Sequence, residues 1–230
     1  MNMNSTTFDP IWEEKYSSGH TQRYPWDAIV TFVFRNAPRD RPRSEVRILE
    51  VGCGTASNLW FAAREGFQVA GVDGCESAIE YAKQRFQQEG LTGDLRVADF
   101  TQLPFEDESF DLVLDRSALT CCGFSACRQE IAEIHRVSRR GAKFFFNPYS
   151  DRHSSSRAGK TTSDGLVVNI AEDTLVGAGQ ICFYGRRDVE REMANGWYVH
   201  GIKHLEIVKV SEPVPTLHAE WRVLAEKKLG

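Results

Sequence analysis

Glu50, Gly52 and Gly54 close the run Ile48-Leu-Glu-Val-Gly-Cys-Gly, and a helical pattern (Leu59, Trp60, Ala63) follows directly. Glycines one residue apart let a chain turn sharply and let a ligand approach the backbone where a Cβ would collide. The free N–H groups that open the next helix favour a carboxylate or a phosphate. The chemistry this stretch suits is the binding of a nucleotide-like cofactor. Val69-Ala-Gly-Val-Asp73-Gly74 gives a second carboxylate, 21 positions beyond Gly52. An acid at the end of a second strand accepts hydrogen bonds from ribose hydroxyls, or it caps the following helix. A third acid, Asp99 in Val97-Ala-Asp-Phe100, can meet the exocyclic amine of an adenine beside Phe100. Read alone, it is an ordinary polar strand end.

Elements at regular spacing must position these residues. Strands are predicted over 46–51, 67–72, 94–98, 110–115 and 142–147, and helices over 57–65, 76–89 and 125–139. Alternation of this kind predicts a parallel sheet with helices on both faces. The apolar runs at Phe110–Leu114 and Phe144–Phe146 suit strands buried on both sides. Two helices, 8–19 and 26–36, precede the alternation, and 37–45 is a charged connector broken by prolines. After residue 148 the alternation stops. The Ser-, Arg-, Gly- and Thr-rich stretch 149–165 reads as an exposed, mobile loop. A helix over 187–195 and two extended strands, 198–210 and 217–228, follow, with a turn through Pro213 and Pro215.

In order and spacing these motifs resemble the class I S-adenosylmethionine-dependent methyltransferases, strongly over 46–148 and weakly in the flanks. The resemblance implies an α/β, Rossmann-like three-layer sandwich whose mostly parallel seven-stranded sheet carries an antiparallel C-terminal strand. It implies one domain: a helical cap (1–45), a cofactor core (46–148), a substrate insert or lid (149–186) and a C-terminal helix and hairpin (187–230). It implies S-adenosylmethionine as methyl donor and S-adenosylhomocysteine as product. Gly52, Cys53 and Gly54 then line the methionine part and Glu50 braces its ammonium side. Asp73 with Gly74 holds the ribose, Asp99 with Phe100 holds the adenine, and Asp115 sits beside the reactive methyl. The third glycine common in the first motif is Ala56 here, which implies a slightly altered turn. In many members an N-terminal helix closes over the cofactor, so one of Tyr16, Tyr24 and Trp26 is expected against the sulfonium by cation–π attraction.

A nicotinamide-dependent oxidoreductase is the main rival, but its fingerprint wants Gly or Ala where Ser57 stands and no acid where Glu50 stands. A non-catalytic cofactor- or partner-binding domain is a third reading, against which the full motif set counts. Asn147-Pro148-Tyr149 follows the fifth strand, whereas amino-methylating enzymes of DNA carry such a motif after the fourth. With 28 Lys and Arg against 32 Asp and Glu, net charge −4, nucleic acid is disfavoured as a partner. A small polar acceptor fits better, methylated at oxygen or nitrogen, for example a sugar or a natural-product intermediate. Arg116, Tyr149 and Tyr184 are candidate acceptor contacts, and Asp115 and His153 candidate catalytic groups, His153 as a base on the loop. His200, His204 and His218 are assigned to packing or solvent.

No run of 18 apolar residues predicts a membrane span. The N-terminus has neither a basic start nor an apolar run, so a cytoplasmic location is expected. The six cysteines include no Cys-x-x-Cys pair and no zinc spacing, so they are read as buried small hydrophobes and no metal is expected.

Overall fold

The computed structural model describes residues 7–211 and 215–229. Pro213 of the expected hairpin turn and the first six residues of the N-terminus lie outside them. Seven strands form one sheet: β1 (Arg47–Val51), β2 (Gln68–Asp73), β3 (Asp94–Val97), β4 (Phe110–Asp115), β5 (Ser138–Phe146), β9 (Trp197–Lys209) and β10 (Thr216–Lys227). The order is β3-β2-β1-β4-β5-β10-β9. The first five run parallel, and β10 is antiparallel to both β5 and β9. A three-stranded sheet, β6 (Lys160–Thr161), β7 (Leu166–Val168) and β8 (Ile181–Cys182), stands apart.

The central strands are apolar on both faces because helices cover both. Ile48, Leu112, Leu114 and Phe145 pack on one side with α2 (Asp27–Asn36), α3 (Ser57–Arg64) and α4 (Glu76–Gln88). Their neighbours Leu49, Val113, Phe144 and Phe146 pack on the other with α5 (Phe124–Val137) and α6 (Arg186–Glu192). This period of two along each strand produces the three layers. Among the described residues no helix is long and apolar enough to cross a membrane.

Three expectations change. Helix α1 covers only Ile11–Ser17, because Pro10 opens it and Gly19, at φ +99°, ends it. Helix α5 stops at Val137 and the chain enters β5 at once, four residues earlier than predicted. The stretch 149–165 is exposed only in part, chiefly over 160–163. Ser150, His153 and Ser155 are buried, and Ser154–Arg157 form a short 3-10 turn. The serines bond protein in place of water: Ser154 Oγ donates to Leu217 O (3.0 Å) and accepts from Leu217 N (2.8 Å), and Ser155 Oγ accepts from Leu175 N (3.3 Å).

Candidate active site

The C-terminal ends of β1, β2 and β4 meet where the strand order reverses, the place where open α/β sheets bind ligands. A cleft of about 830 Å³ opens there, and a smaller recess of about 130 Å³ adjoins it, sharing Trp12, Tyr16, Gly52, Arg116, Ser117 and Cys121 in its walls.

The glycine turn is its floor. Gly52 (φ +64°) and Gly54 (φ +52°) take the left-handed conformation that glycine adopts freely. A Cβ on Gly52 would collide with Ala118, and one on Gly54 would lie 2.5 Å from Tyr16 Oη. Ala56 (φ +55°) adopts the same conformation as the N-cap of α3, so the turn keeps its left-handed form despite the missing glycine. The strain, about 1–2 kcal/mol, is borne by a wholly buried residue.

Two buried acids flank the turn. Asp73 Oδ2 accepts from Gly54 N (2.8 Å) and Oδ1 from Cys75 N (2.9 Å), and its side chain lines the recess with Gly74 and Phe100. Burial pushes its carboxyl up, and the two backbone bonds oppose that. Glu50 lines the cleft and takes Asn58 Nδ2 on Oε1 at 2.6 Å. Its Oε2 has no hydrogen-bond partner among the described residues, and neither has the indole Nε1 of Trp12. An orphaned buried acceptor and an orphaned buried donor beside one cleft fit a polar ligand. Burial first, and nearby Asp115 and Asp73 next, hold the Glu50 carboxyl up at about 8 despite the Asn58 bond.

The other expected residues divide. Tyr16, Trp26, Cys53, Arg116 and Tyr149 all line the cleft. Arg116 lies over the Trp26 ring at 4.1 Å. Asp99 accepts from Thr101 and from Thr7 Oγ1, while Phe8 covers Gly74, so residues 7–9 close the recess from outside. Tyr24 is 66% exposed, packs its edge on Trp60 and does not line the cleft. Tyr184 is wholly in the core, ring to ring with Phe124 and Phe146, two residues beyond β8, where its backbone N–H donates to Tyr149 O. Asp115 is buried and lines neither cavity. Its oxygens accept from Ala118 N, Leu119 N and Asn147 N, so it orders the loop that presents Arg116 and Ser117. His153 is buried too. Its Nδ1 accepts from Ser155 N at 3.1 Å, and burial with neighbouring His218 brings its pKa down to about 4.

Sequence reasoning missed the far wall. His218, Glu220 and Arg222 on β10 line the cleft, with His20, Thr55 and Asn58. His218 Nε2 lies 3.2 Å from Glu220 Oε2, and Arg222 Nε donates to Glu220 Oε1 at 2.6 Å. Spacing two apart along a strand, 218-220-222, was the available signal.

Residues 49–146 match a family described as a methyltransferase domain. YodH of Bacillus subtilis, an uncharacterized methyltransferase, is 34% identical over 97 residues, 42% of this chain and 42% of that protein. The ubiquinone biosynthesis O-methyltransferase of Roseobacter denitrificans is 37% identical over 93 residues, 39% of this chain and 38% of that protein. The chain thus matches about two fifths of the length of these curated relatives. A solved SAM-dependent methyltransferase of Methanosarcina mazei superposes with a TM-score of 0.70 at 18% identity, over 90% of this chain and all of that one, a likeness of fold.

Proposed function

We propose that this chain, whose residues 49–146 match a methyltransferase domain, is a class I S-adenosylmethionine-dependent methyltransferase that transfers the methyl group of S-adenosylmethionine to an oxygen or nitrogen of a small polar molecule. The observation that carries the reading is Glu50: a buried acid with an unpartnered Oε2, lining a cleft floored by the Gly52–Gly54 turn. A carboxylate in that place suits a cation, and this donor carries an ammonium and a sulfonium. Asp73 has lone pairs left on both oxygens for the ribose hydroxyls. Gly74, Asp99 and Phe100 receive the adenine side, and Gly52, Cys53 and Gly54 the methionine side.

The donor, when bound, supplies a methyl carbon already activated by its positive sulfur. What remains for the protein is alignment and the exclusion of water. Tyr16 and Trp26 offer aromatic faces toward a cation, and Trp12 Nε1 offers a donor. Arg116 and Tyr149 stand on the acceptor side with the β10 wall. In this reading the described residues of 1–45 cap the cofactor core of 46–148, 149–186 form the insert that shapes the acceptor side, and the described residues of 187–230 complete the sheet.

Thermal unfolding tests the reading. S-adenosylhomocysteine at about a hundredfold its Kd contributes about 2.7 kcal/mol, raising the midpoint by about 5–10 °C. NAD is expected to give no shift. No shift with S-adenosylhomocysteine, or a shift with NAD alone, contradicts it.

A further inference from the structure

We propose that His218 is the base of the transfer step, oriented by Glu220, and that the acceptor it serves is an acidic hydroxyl of the phenol or enol kind. The proposal rests on the methyl-transfer reading above.

His218 projects from β10, and its ring lines the cleft. A carboxylate only accepts hydrogen bonds, so the proton between His218 Nε2 and Glu220 Oε2 belongs to the imidazole. The neutral ring then keeps its lone pair on Nδ1. That atom has no hydrogen-bond partner among the described residues. Glu220 is 2% exposed and is fixed from two further sides, by Arg222 Nε at 2.6 Å and Arg116 Nη2 at 3.7 Å. Burial alone would raise its carboxyl, but the His218 bond and the two guanidinium groups hold it down at about 2. It is an anion behind the imidazole, placed to stabilise the imidazolium that forms.

The other groups facing the ring come from the segment after β5. Tyr149 meets it edge-on at 5.8 Å and His153 at 5.3 Å. His153, held to Ser155 N through Nδ1 and titrating only near 4, stays neutral and leaves the proton transfer to His218. Arg116 and Arg222 pair with Glu220, which in turn meets the ring.

A base matters most for a hydroxyl, since an uncharged amine attacks with its own lone pair. A phenol gives up its proton near 10. An alcohol lies near the 15.7 of water, so a phenol or enol is the hydroxyl that a histidine base deprotonates more readily. Trp12, Trp26 and Tyr149 give the cleft flat aromatic walls suited to such a ring. In the step, the hydroxyl proton passes to His218 Nδ1 as the oxygen bonds the methyl carbon. The carbon–sulfur pair stays on sulfur, which loses its positive charge.

The test follows S-adenosylhomocysteine formation from S-adenosylmethionine with a series of substituted phenols, alongside calorimetric binding of S-adenosylhomocysteine and histidine ¹⁵N NMR. Wild type methylates phenols. His218→Asn lowers kcat by about a hundredfold or more, leaves binding of S-adenosylhomocysteine unchanged, and recovers part of its rate with added imidazole. Glu220→Gln lowers kcat less and shifts the His218 tautomer, which is Nε2–H in the wild type. Wild-type kcat in His218→Asn, an Nδ1–H tautomer, or no turnover of any phenol overturns the proposal and leaves methyl transfer standing. Failure of the wild type to bind S-adenosylhomocysteine overturns the methyl-transfer reading instead.

Discussion

Glu50 shows how one side chain carries information the sequence holds only in part. Its position, two residues before Gly52, is plain in the chain. Its environment is not, because Asn58, which takes one of its oxygens, arrives through the first turn of α3. Burial leaves it with a carboxyl near 8, so near neutral pH most of it is protonated. A cation bound against it favours the carboxylate, and binding must then expel a proton. Affinity for a positively charged donor therefore rises as pH climbs toward about 8 and levels off above it. Calorimetry of S-adenosylmethionine binding near pH 7, in buffers of different ionisation enthalpy, should report close to one proton released. Glu50→Gln should abolish the release, and a buffer-independent heat in the wild type would contradict this role. His218 was harder to read. Its cleft partner Tyr149 lies on another element, and only the β10–β5 register brings the two together.

At the scale of elements, β1 to β4 and their helices were legible because apolar period and glycine punctuation agree there. The segment 149–186 was not, since a serine hydroxyl bonds water or backbone equally well and composition does not say which. Helix α5 also conceals a buried acid. Glu130 is wholly buried, accepts from Cys122 Sγ at 3.0 Å, and its Oε1 is unpartnered among the described residues. Cys122, Cys127 and Glu130 place their polar atoms within 4.8 Å of one another. Burial above all drives the Glu130 carboxyl up to about 8. The folded chain thus holds this proton more tightly than the unfolded chain, whose carboxyl titrates near 4.3. The contribution is full below that value and is lost as pH rises to about 8. His153 works in the opposite sense, since its lowered pKa costs stability as pH falls from about 6.5 toward 4. Urea unfolding near pH 5 and near pH 8 should show Glu130→Gln losing less stability than wild type across that rise. An identical pH dependence in the two proteins would remove Glu130 from the account.

Across the whole molecule, the cleft joins distant parts of the chain: α1 and the turn after it, the glycine loop, the segment after β4 and the wall of β10. The fold and the glycine-turn side of the cleft were readable because their motifs are local and ordered along 46–148. The acceptor side was not, because it is assembled from the flanks, where no motif is contiguous. That division leaves donor recognition as the claim on which the rest depends, and Asp73 is its most exposed point. Calorimetric titration of S-adenosylhomocysteine into wild type and Asp73→Ala tests it directly. Loss of hydrogen bonds to a charged group costs about 1.5–3 kcal/mol, so the variant should bind roughly ten- to a hundredfold more weakly. Wild-type affinity in Asp73→Ala, or no binding heat in the wild type at all, would contradict the account.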